Sequence, residues 1–545
     1  MTLKLTSIAL IAISFLAIQA HAQTTAFGTH AYLDINNIKA GHMVHGDMWW
    51  NPGLGISDIE YPKGSGKHPS FASALWIGGY DSGNNLHIAA QTYRQNGNDY
   101  WPGPIDGAQA INYTTSQGWA KIWRIERSDL QTFFTTSPHT TANTPAVILQ
   151  WPAKGNPYAK GYGNVTLTIT KDMAPFVDVN GDGSYDPLQG DYPDMKGDQM
   201  LWWVFNDNGP AHTETNGTPL NIEVQTMAYA YKRNTGIDNV LFYEYNITNY
   251  SGGNYTNFRV GLFSDADLGY AFDDYIGFDS TRRLGIAYNG RSYDGNGESN
   301  AYGYMPPISG VQLLETPGDA GTTYEPAGSF MYYNNDFTGM GNPSNATEYN
   351  NYLNATFRSG THLTVGCGPN AGQLTNYAFP ADFADPASEC SCNTIPNDRR
   401  FVITTNGYQF NAGGKVKVAM AFLVTDLDST HTCPNGSFED IATLADSTWN
   451  WYHTPPATGI AQVSVEKKIL KLYPNPAQQS IFIETTEANA GNIVLVYDAL
   501  GKTYQLPVTQ KNNTLELDIR SLAPGIYTVL CKNGDKHQSG IFVKE

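Results

Sequence analysis

Runs of alternating apolar and polar residues recur along the chain, and they constrain its fold more than any other feature. In residues 164–172, NVTLTITKD, apolar side chains alternate with threonines, and residues 415–424 repeat the pattern. A period of two places successive side chains on opposite faces of a strand. Residues 240–249, the turn SGGN and residues 258–263 predict a strand, a turn and a second strand. We therefore expect a mainly β, multi-domain protein of antiparallel β-sandwiches.

The composition supports this fold class. Charged residues make up 15% of the 545 residues, whereas the chain has 54 Gly and 34 Tyr. Tyrosine favours strands and glycine favours turns, so this composition is typical of turn-rich β structure. One segment, residues 437–452, departs from it, because Ile441, Leu444 and Trp449 lie along one helical stripe after Ser437, a capping residue. This spacing predicts one helix.

The N-terminal residues have the pattern of a secretory signal peptide. Lys4 precedes an apolar run from Ile8 to Ile18, and Ala20 and Ala22 form an A-x-A arrangement. The run is shorter than the ~20 apolar residues that a membrane helix needs, and no later stretch approaches that length. We therefore expect an exported protein that does not span a membrane.

The length predicts several domains, since 545 residues exceed the usual size of one compact unit. The Pro, Gly and Thr residues of HTPPATG (453–459) are typical of a linker. The expected division is a signal peptide at 1–22, an N-terminal β-rich region with a calcium-like loop at 23–225, a central β-sandwich region ending in the helix at 226–452, a linker at 453–466 and a C-terminal module at 467–545.

The net charge of the chain limits the classes of partner that we expect. The chain has 32 Lys and Arg against 50 Asp and Glu, a net charge of −18, so we expect no nucleic acid partner.

Four cysteines, Cys367, Cys390, Cys392 and Cys433, cluster in one region, and Cys531 stands apart. Export permits disulfides, so one or two bridges are expected in the cluster. The alternative, a four-thiolate zinc site, lacks the paired C-x-x-C spacing.

The C-terminal module contains four ordered motifs, LYPNPAQQSIFIE, VYDALGKTY, LDIRSLAPGIYTV and GIFVKE. Together they resemble the type A C-terminal sorting domain of type IX secretion cargo. The residues that carry the resemblance are Tyr473, Pro474, Asn475, Pro476, Asp498, Gly501, Lys502, Leu522, Gly525 and Tyr527. The resemblance implies an immunoglobulin-like sandwich, recognition by the type IX translocon and sorting machinery, and a location at the cell surface or in the medium.

The body of the chain also resembles segments of large, mostly uncharacterised cargo proteins of the same class. The similar segments include residues 74–106, 264–290 and 398–407, together with the DVNGDGSYDP loop. This resemblance implies a route of delivery and brings no activity with it.

Residues 178–187, DVNGDGSYDP, predict a bound calcium ion. The pattern D-x-[DN]-x-[DN]-G lets alternate oxygens converge on one ion, while the glycine permits a sharp bend. The predicted ligands are Asp178, Asn180, Asp182, Ser184 and Asp186. Gln189 replaces the Glu expected at the twelfth position, so Asp191 or a carboxylate from elsewhere would complete the shell. The alternative interpretation is a set of Asx-turns in a solvated loop.

A second acidic stretch lies within residues 265–279. Mutual repulsion of so many carboxylates is costly unless solvent or a cation relieves it. The residues of this second candidate metal site are Asp265, Asp267, Asp273, Asp274 and Asp279. Their spacing follows no known loop, and the alternative is a solvated acidic edge.

The sequence contains little evidence of catalysis, and no catalytic residues are predicted. The metalloprotease motif H-E-x-x-H and the nucleophile elbow G-x-S-x-G are both absent. A glycoside hydrolase needs two carboxyl groups that face a sugar, a geometry that sequence spacing does not reveal. Aromatic residues suggest polysaccharide as a partner, although rings of this kind also fill sandwich cores. These residues are Trp49, Trp50, Trp76, Trp101, Trp202 and Trp203.

The sequence therefore predicts an exported, calcium-stabilised β protein sorted by type IX secretion. We expect it to act at the cell surface or in the medium as a binding or adhesive component. The alternative is a secreted polysaccharide hydrolase.

Overall fold

A computed structural model describes residues 30–93, 97–106, 112–434, 436–455, 470–484, 493–498, 502–511, 514–533 and 536–545. The predicted signal peptide, most of the predicted linker and Gly501 lie outside these residues. The chain divides into two compact units, Met1–Thr454 and Pro455–Glu545, and each is described by itself. No helix within the described ranges is long and apolar enough to cross a membrane.

The described part of the first unit is built mainly from strands. In chain order these are β1 (His30–Leu33), β2 (Lys39–Met43), β3 (Asp47–Met48), β4 (Trp50–Asn51), β5 (Ile56–Ser57), β6 (Ile59–Glu60), β7 (Ala72–Tyr80), β8 (Leu86–Ala90), β9 (Trp101–Pro102), β10 (Trp123–Glu126), β11 (Phe176–Val177), β12 (Tyr192–Pro193), β13 (Gln199–Asn206), β14 (Ile222–Ala230), β15 (Val240–Asn249), β16 (Tyr255–Asp265), β17 (Asp274–Asp279), β18 (Leu284–Asn289), β19 (Ser309–Glu315), β20 (Ser329–Asn334), β21 (Arg399–Thr404), β22 (Tyr408–Phe410) and β23 (Lys415–Val424).

Short helices connect these strands. They are α1 (Tyr113–Trp119), α2 (Arg127–Thr135), α3 (Ala146–Leu149), α4 (Ala346–Leu353), α5 (Glu389–Cys392) and α6 (Glu439–His453), with 3-10 turns at Tyr162–Asn164, Gly236–Asn239 and Ala271–Asp273.

Two large antiparallel sheets organise the first unit. The first sheet has the order β1-β2-β3-β7-β16-β21-β20, with β6, β8 and β22 paired to β2, β7 and β16. The second has the order β10-β13-β14-β15-β23-β19-β18-β17, with β9 paired to β13. The mainly β, antiparallel fold predicted from the sequence is confirmed. The expected boundary between residues 225 and 226 falls inside β14, which pairs with both β13 and β15.

The second sheet is buried on both faces, as β15 illustrates. Leu241 and Tyr243 belong to the core that also contains side chains of the first sheet, whereas Val240 and Phe242 belong to a second core. Alternate side chains of a strand point to opposite faces, so one strand contributes to both cores. The strand therefore contains a nearly continuous apolar run.

The predicted helix is present and begins two residues later than expected. Ser437 lies just before it, and its Oγ accepts a hydrogen bond from the Glu439 backbone N–H at 3.1 Å. Ile441, Leu444 and Ala445 are buried in the second core. The helix contacts β19 and β23, so it covers the outer face of the second sheet.

The strand predicted at residues 164–172 does not form, and this expectation was wrong. Leu167 and Ile169 are buried as the alternation requires, whereas Val165 is exposed. Their backbones, however, make isolated contacts with the preceding segment, because Leu167 N–H donates to Ala159 O at 3.0 Å and Gly155 N–H donates to Ile169 O at 2.9 Å. Apolar alternation thus indicates which side chains can be buried, not whether a partner strand is available.

Two disulfides join the clustered cysteines. Cys367 is bonded to Cys392 and Cys390 to Cys433, with Cα atoms 5.9 and 5.7 Å apart. Cys390 and Cys392 both lie in α5, so this short helix is tied to two distant segments. Cys531, in the second unit, is free and buried.

The second unit is a small sandwich of two antiparallel sheets. Its strands are β24 (Lys471–Tyr473), β25 (Ser480–Glu484), β26 (Ile493–Asp498), β27 (Thr503–Tyr504), β28 (Val508–Lys511), β29 (Thr514–Asp518), β30 (Gly525–Asn533) and β31 (Lys536–Lys544). The sheets have the orders β24-β25-β29-β28 and β27-β26-β30-β31. Ile481, Leu517 and Val529 are fully buried between them. The unit therefore has a core of its own.

Candidate functional site

The predicted calcium loop lies between β11 and β12, which pair with each other and hold its two ends together. Asp178 accepts backbone hydrogen bonds from Gly181 at Oδ1, at 2.7 Å, and from Gly183 at Oδ2, at 2.8 Å. Both glycines have a φ of 77°, in the left-handed region that favours glycine. The glycines thus let the backbone curl around the Asp178 carboxylate.

Asn180 and Asp182 make local hydrogen bonds of the same kind. Asp182 N–H donates to Asn180 Oδ1 at 3.0 Å, and Ser184 N–H donates to Asp182 Oδ1 at 2.8 Å. Asn180 Nδ2 donates to Asp182 Oδ2 at 2.9 Å and to Gln189 Oε1 at 3.2 Å. The two contacts with a backbone donor are Asx-turns, the other two join side chains, and the accepting oxygens have further lone pairs that a cation can use.

Asp191 links two parts of the loop through its carboxylate. It is buried, and it accepts N–H groups from Val179 at Oδ1 and from Asp186 at Oδ2, both at 2.8 Å. Burial raises the pKa of Asp191, and the carboxylates of Asp178 and Asp182 raise it further. The donor set is all oxygen, which fits calcium chemistry, and Asp191 supplies an acidic group near the position where the pattern lacks Glu.

In the second acidic stretch, Asp265 and Asp267 meet Asp398, which the sequence analysis did not include. Asp265 ends β16, and Asp398 directly precedes β21, whose Arg400 lies opposite Asp265 in the strand register. One carboxylate oxygen from each of the three aspartates lies within 4.8 Å of the others. Asp265 and Asp398 are buried and Asp267 is half-buried, and we call these three residues the buried aspartate cluster. The acidic residue before the apolar run FVITT was visible in the sequence, but its pairing with β16 was not.

The buried aspartate cluster carries more negative charge than its neighbours offset. Arg400 Nε lies 3.3 Å from Asp265 Oδ1, and Arg400 Nη2 lies 3.7 Å from Asp398 Oδ1. The Oδ1 atoms of all three aspartates are buried without a hydrogen-bond partner among the described residues. Burial raises the pKa of Asp267 well above its usual value, and the Asp265 and Asp398 carboxylates raise it further. Three carboxylates face one guanidinium here, so an oxygen-seeking divalent cation fits the site.

The other three predicted residues of this stretch lie elsewhere. Asp273 Oδ2 accepts Gly295 N–H at 3.0 Å, and Asp274 Oδ2 accepts Leu268 N–H at 2.9 Å. Burial raises the pKa of Asp273 to about 6. Asp279 Oδ2 accepts a hydrogen bond from Arg282 Nη1 at 2.8 Å.

The tryptophans suggested as sugar platforms are mostly core residues. Trp49, Trp76, Trp202 and Trp203 are at most 2% exposed, and Trp50 is 3% exposed. These five rings therefore do not offer a face to a ligand, and that interpretation is wrong for them. Trp101 is partly buried, with its ring centroid 5.9 Å from that of His212.

A cleft of about 430 Å³ and another of about 410 Å³ lie on the described surface of the first unit. The second of these, which we call the α6 cleft, lies beside the C-terminal half of α6. Its lining residues are Ser280, Thr281, Arg282, Arg283, Gln312, Tyr324, Glu325, Pro326, Asp446 and Trp449. Tyr324 and Trp449 meet edge to face, with ring centroids 4.7 Å apart. This cleft was not predictable from the sequence, because its residues come from four separate segments.

The motif residues of the second unit are structural where they are described. Asn475 Nδ2 donates to Ile541 O at 2.9 Å, and Asn475 Oδ1 accepts Val543 N–H at 2.9 Å. These bonds tie the N-terminal motif to β31.

Two further motif residues fix other turns of the second unit. Asp498 Oδ1 accepts Lys502 N–H at 3.0 Å. Tyr527, which is 5% exposed, donates its hydroxyl to Ala523 O at 2.9 Å. The motifs thus shape the sandwich.

Comparison with known proteins assigns the second unit. Residues 471–545 match the family described as the secretion system C-terminal sorting domain. No curated protein matches the chain. Among solved structures, a polysaccharide lyase aligns at 10% identity with a TM-score of 0.18, over 59% of this chain and 34% of that one, so the chain spans about a third of its length. The chain thus carries a C-terminal sorting domain and is a cargo protein of type IX secretion, exported to the cell surface or the medium.

Proposed function

We propose that the exported body is a calcium-stabilised component that binds or adheres at the cell surface or in the medium. The observation that most supports this function is the position of the clustered carboxylates. The carboxylates of the buried aspartate cluster lie at the ends of paired strands, and the carboxylates of residues 178–191 lie within backbone turns. In both places a cation would brace the fold, whereas hydrolysis requires two carboxyl groups exposed to a sugar.

One observation favours the alternative, a polysaccharide hydrolase. Glu325 and Asp446 both line the α6 cleft, so two carboxyl groups are available there. However, Arg282 donates to both oxygens of Asp446, from Nε at 2.8 Å and from Nη2 at 2.9 Å. Both Asp446 oxygens are thus already engaged by one guanidinium, an arrangement that suits a fixed binding surface better than a group that must transfer a proton.

A glycan array, run beside a screen for released reducing sugars, distinguishes the two functions. We expect the secreted protein to bind at least one polysaccharide without cleaving that polysaccharide. Under this proposal a bound cation and the Asp446 carboxylate held by Arg282 stabilise a rigid surface, and they do not form the pair of acid and base that hydrolysis requires. The readouts are bound protein and new reducing ends on the same substrates. Product formation that follows protein concentration would replace binding by hydrolysis as the function.

Calcium should raise the melting temperature of the secreted protein, and chelation should lower it. A ligand that binds only the folded state stabilises it by RT ln(1 + [L]/Kd), so millimolar calcium contributes about 1 to 4 kcal/mol for micromolar to sub-millimolar affinity. Calorimetry with calcium and with chelator measures this shift. In the variant Asp178→Asn/Asp182→Asn, which conserves side-chain size, we expect a smaller response.

Asp172→Asn is the matched control for that experiment. Asp172 lies six residues before the loop, and its side chain is 77% exposed. Its replacement should leave the calcium response unchanged. Identical wild-type melting curves with calcium and with chelator would show that the loop is a set of Asx-turns alone.

A further inference from the structure

The α6 cleft has the size and the location of a small-ligand site. Its volume of about 410 Å³ falls within the roughly 300–1,000 Å³ typical of such sites. The turn between β17 and β18, the strand β19, a loop at residues 324–326 and the helix α6 each contribute to its lining. Because three of these four segments belong to regular structure or to a tight turn, the cleft is formed by rigid parts of the fold.

Aromatic rings on one side of the cleft are held in place by a buried cation. Arg283 is 4% exposed, and its guanidinium lies 4.8 Å from the ring centroid of Trp449 and 5.7 Å from that of Tyr324. The guanidinium is itself fixed, because Arg283 donates to Leu314 O at 2.9 Å and pairs with Asp319 at 3.2 Å. Tyr324 remains 38% exposed. The cleft therefore presents a preorganised aromatic surface, which suits the apolar faces of a sugar ring.

A buried amide of the cleft lacks one hydrogen bond. Gln312 is 1% exposed, and its Nε2 donates to Arg282 O at 3.1 Å. Its Oε1 is buried and has no hydrogen-bond partner in the part of the chain that the structure describes. Leaving such an acceptor unsatisfied costs free energy, which a ligand hydroxyl that reached it would recover. A ligand that carries O–H donors is therefore favoured.

The charges around the cleft disfavour an anionic ligand. Arg282 pairs with Asp279 and with Asp446, each at 2.8 Å. Arg283 pairs with Asp319. Both guanidinium groups thus have carboxylate partners, and Glu325 adds a further acidic group to the lining. A neutral ligand is not repelled by these carboxylates, and it can still form hydrogen bonds with the carboxylate and guanidinium groups.

We propose that the α6 cleft binds a neutral saccharide unit of a polysaccharide, which packs on Tyr324 and Trp449 and donates a hydroxyl to Gln312. The proposal rests on the binding function proposed above and names its ligand class and its site. It follows from the aromatic surface, the unsatisfied amide and the paired charges together.

Binding to immobilised neutral glucans, mannans and xylans, with acidic uronate polymers for comparison, tests the proposal on the full secreted chain. The variant Tyr324→Ala removes an exposed ring, and Gln312→Met removes the amide at similar size. Each should weaken binding to the preferred neutral glycan about tenfold. Tyr304→Ala is the matched control, because Tyr304 is 71% exposed and lies outside the cleft lining, and it should bind as the wild type does.

The outcomes separate this proposal from the proposed function. Unchanged glycan binding in both Tyr324→Ala and Gln312→Met, with melting temperatures like that of the wild type, overturns the cleft as the site and leaves a binding function in place. Retention by acidic polymers alone, or by no glycan, overturns the saccharide proposal. Release of reducing sugars that Tyr324→Ala abolishes supports the cleft and replaces the binding function by hydrolysis.

Discussion

Deletion of residues 467–545 should stop secretion of the body almost completely while leaving it folded. The deleted segment contains the residues that match the sorting domain, and the described core of the second unit is formed by its own residues. A compact unit with a separate core is removable without loss of the core that remains. Fractionation of the producing cells, with immunoblots of the medium, the cell surface and the periplasm, measures the effect. We expect the truncated protein in the periplasm.

The control for this experiment is the stability of the retained body. Its melting temperature and calcium response should equal those of the first unit in the full-length chain, which shows that sorting rather than folding was lost. Normal amounts of the truncated protein in the medium would contradict the sorting role of residues 471–545.

Replacement of Arg399 by Met should lower the free energy of unfolding of the body by about 3–5 kcal/mol. Arg399 Nη2 donates to Glu389 Oε1 at 2.8 Å, and Glu389 is fully buried. Glu389 also accepts Ile276 N–H at 2.7 Å, so it links α5 to β17. Without the guanidinium, a buried carboxylate is left uncompensated. Urea denaturation followed by tryptophan fluorescence measures the loss.

Two further variants make that measurement specific. Arg124→Met alters a surface ion pair whose two side chains, Arg124 and Glu126, are each 36% exposed, and it should change stability little. The double variant Arg399→Met/Glu389→Gln removes both charges and should recover part of the loss. Equal destabilisation by Arg124→Met and Arg399→Met would contradict the role of burial.

The sequence predicted strands best where both neighbours of a strand are also regular. Residues 240–249 and 415–424 coincide with β15 and β23, which pair with each other. Residues 164–172 show equally good alternation and form no strand, because no partner strand lies beside them. Periodicity describes the side chains of one segment, whereas a ladder depends on the backbone of another.

The candidate sites show the same limit. The loop at 178–191 is local, so its ligand spacing was readable from the motif. Asp398 was not, because only the register of β16 and β21 brings it to Asp265. The α6 cleft was not predicted for the same reason, because its lining comes from four separate segments. The role of the buried tryptophans was ambiguous in the sequence, because sandwich cores and sugar-binding surfaces use the same rings.

The central position of β23 determines when the body can complete its fold. This strand lies between β15 and β19, yet it comes from residues 415–424, near the end of the first unit. During synthesis, β15 and β19 emerge long before the strand that joins them, so both present unpaired edges until then. A nascent or truncated chain that ends before residue 415 is therefore prone to aggregation, and folding of the body is coupled to near-completion of the chain.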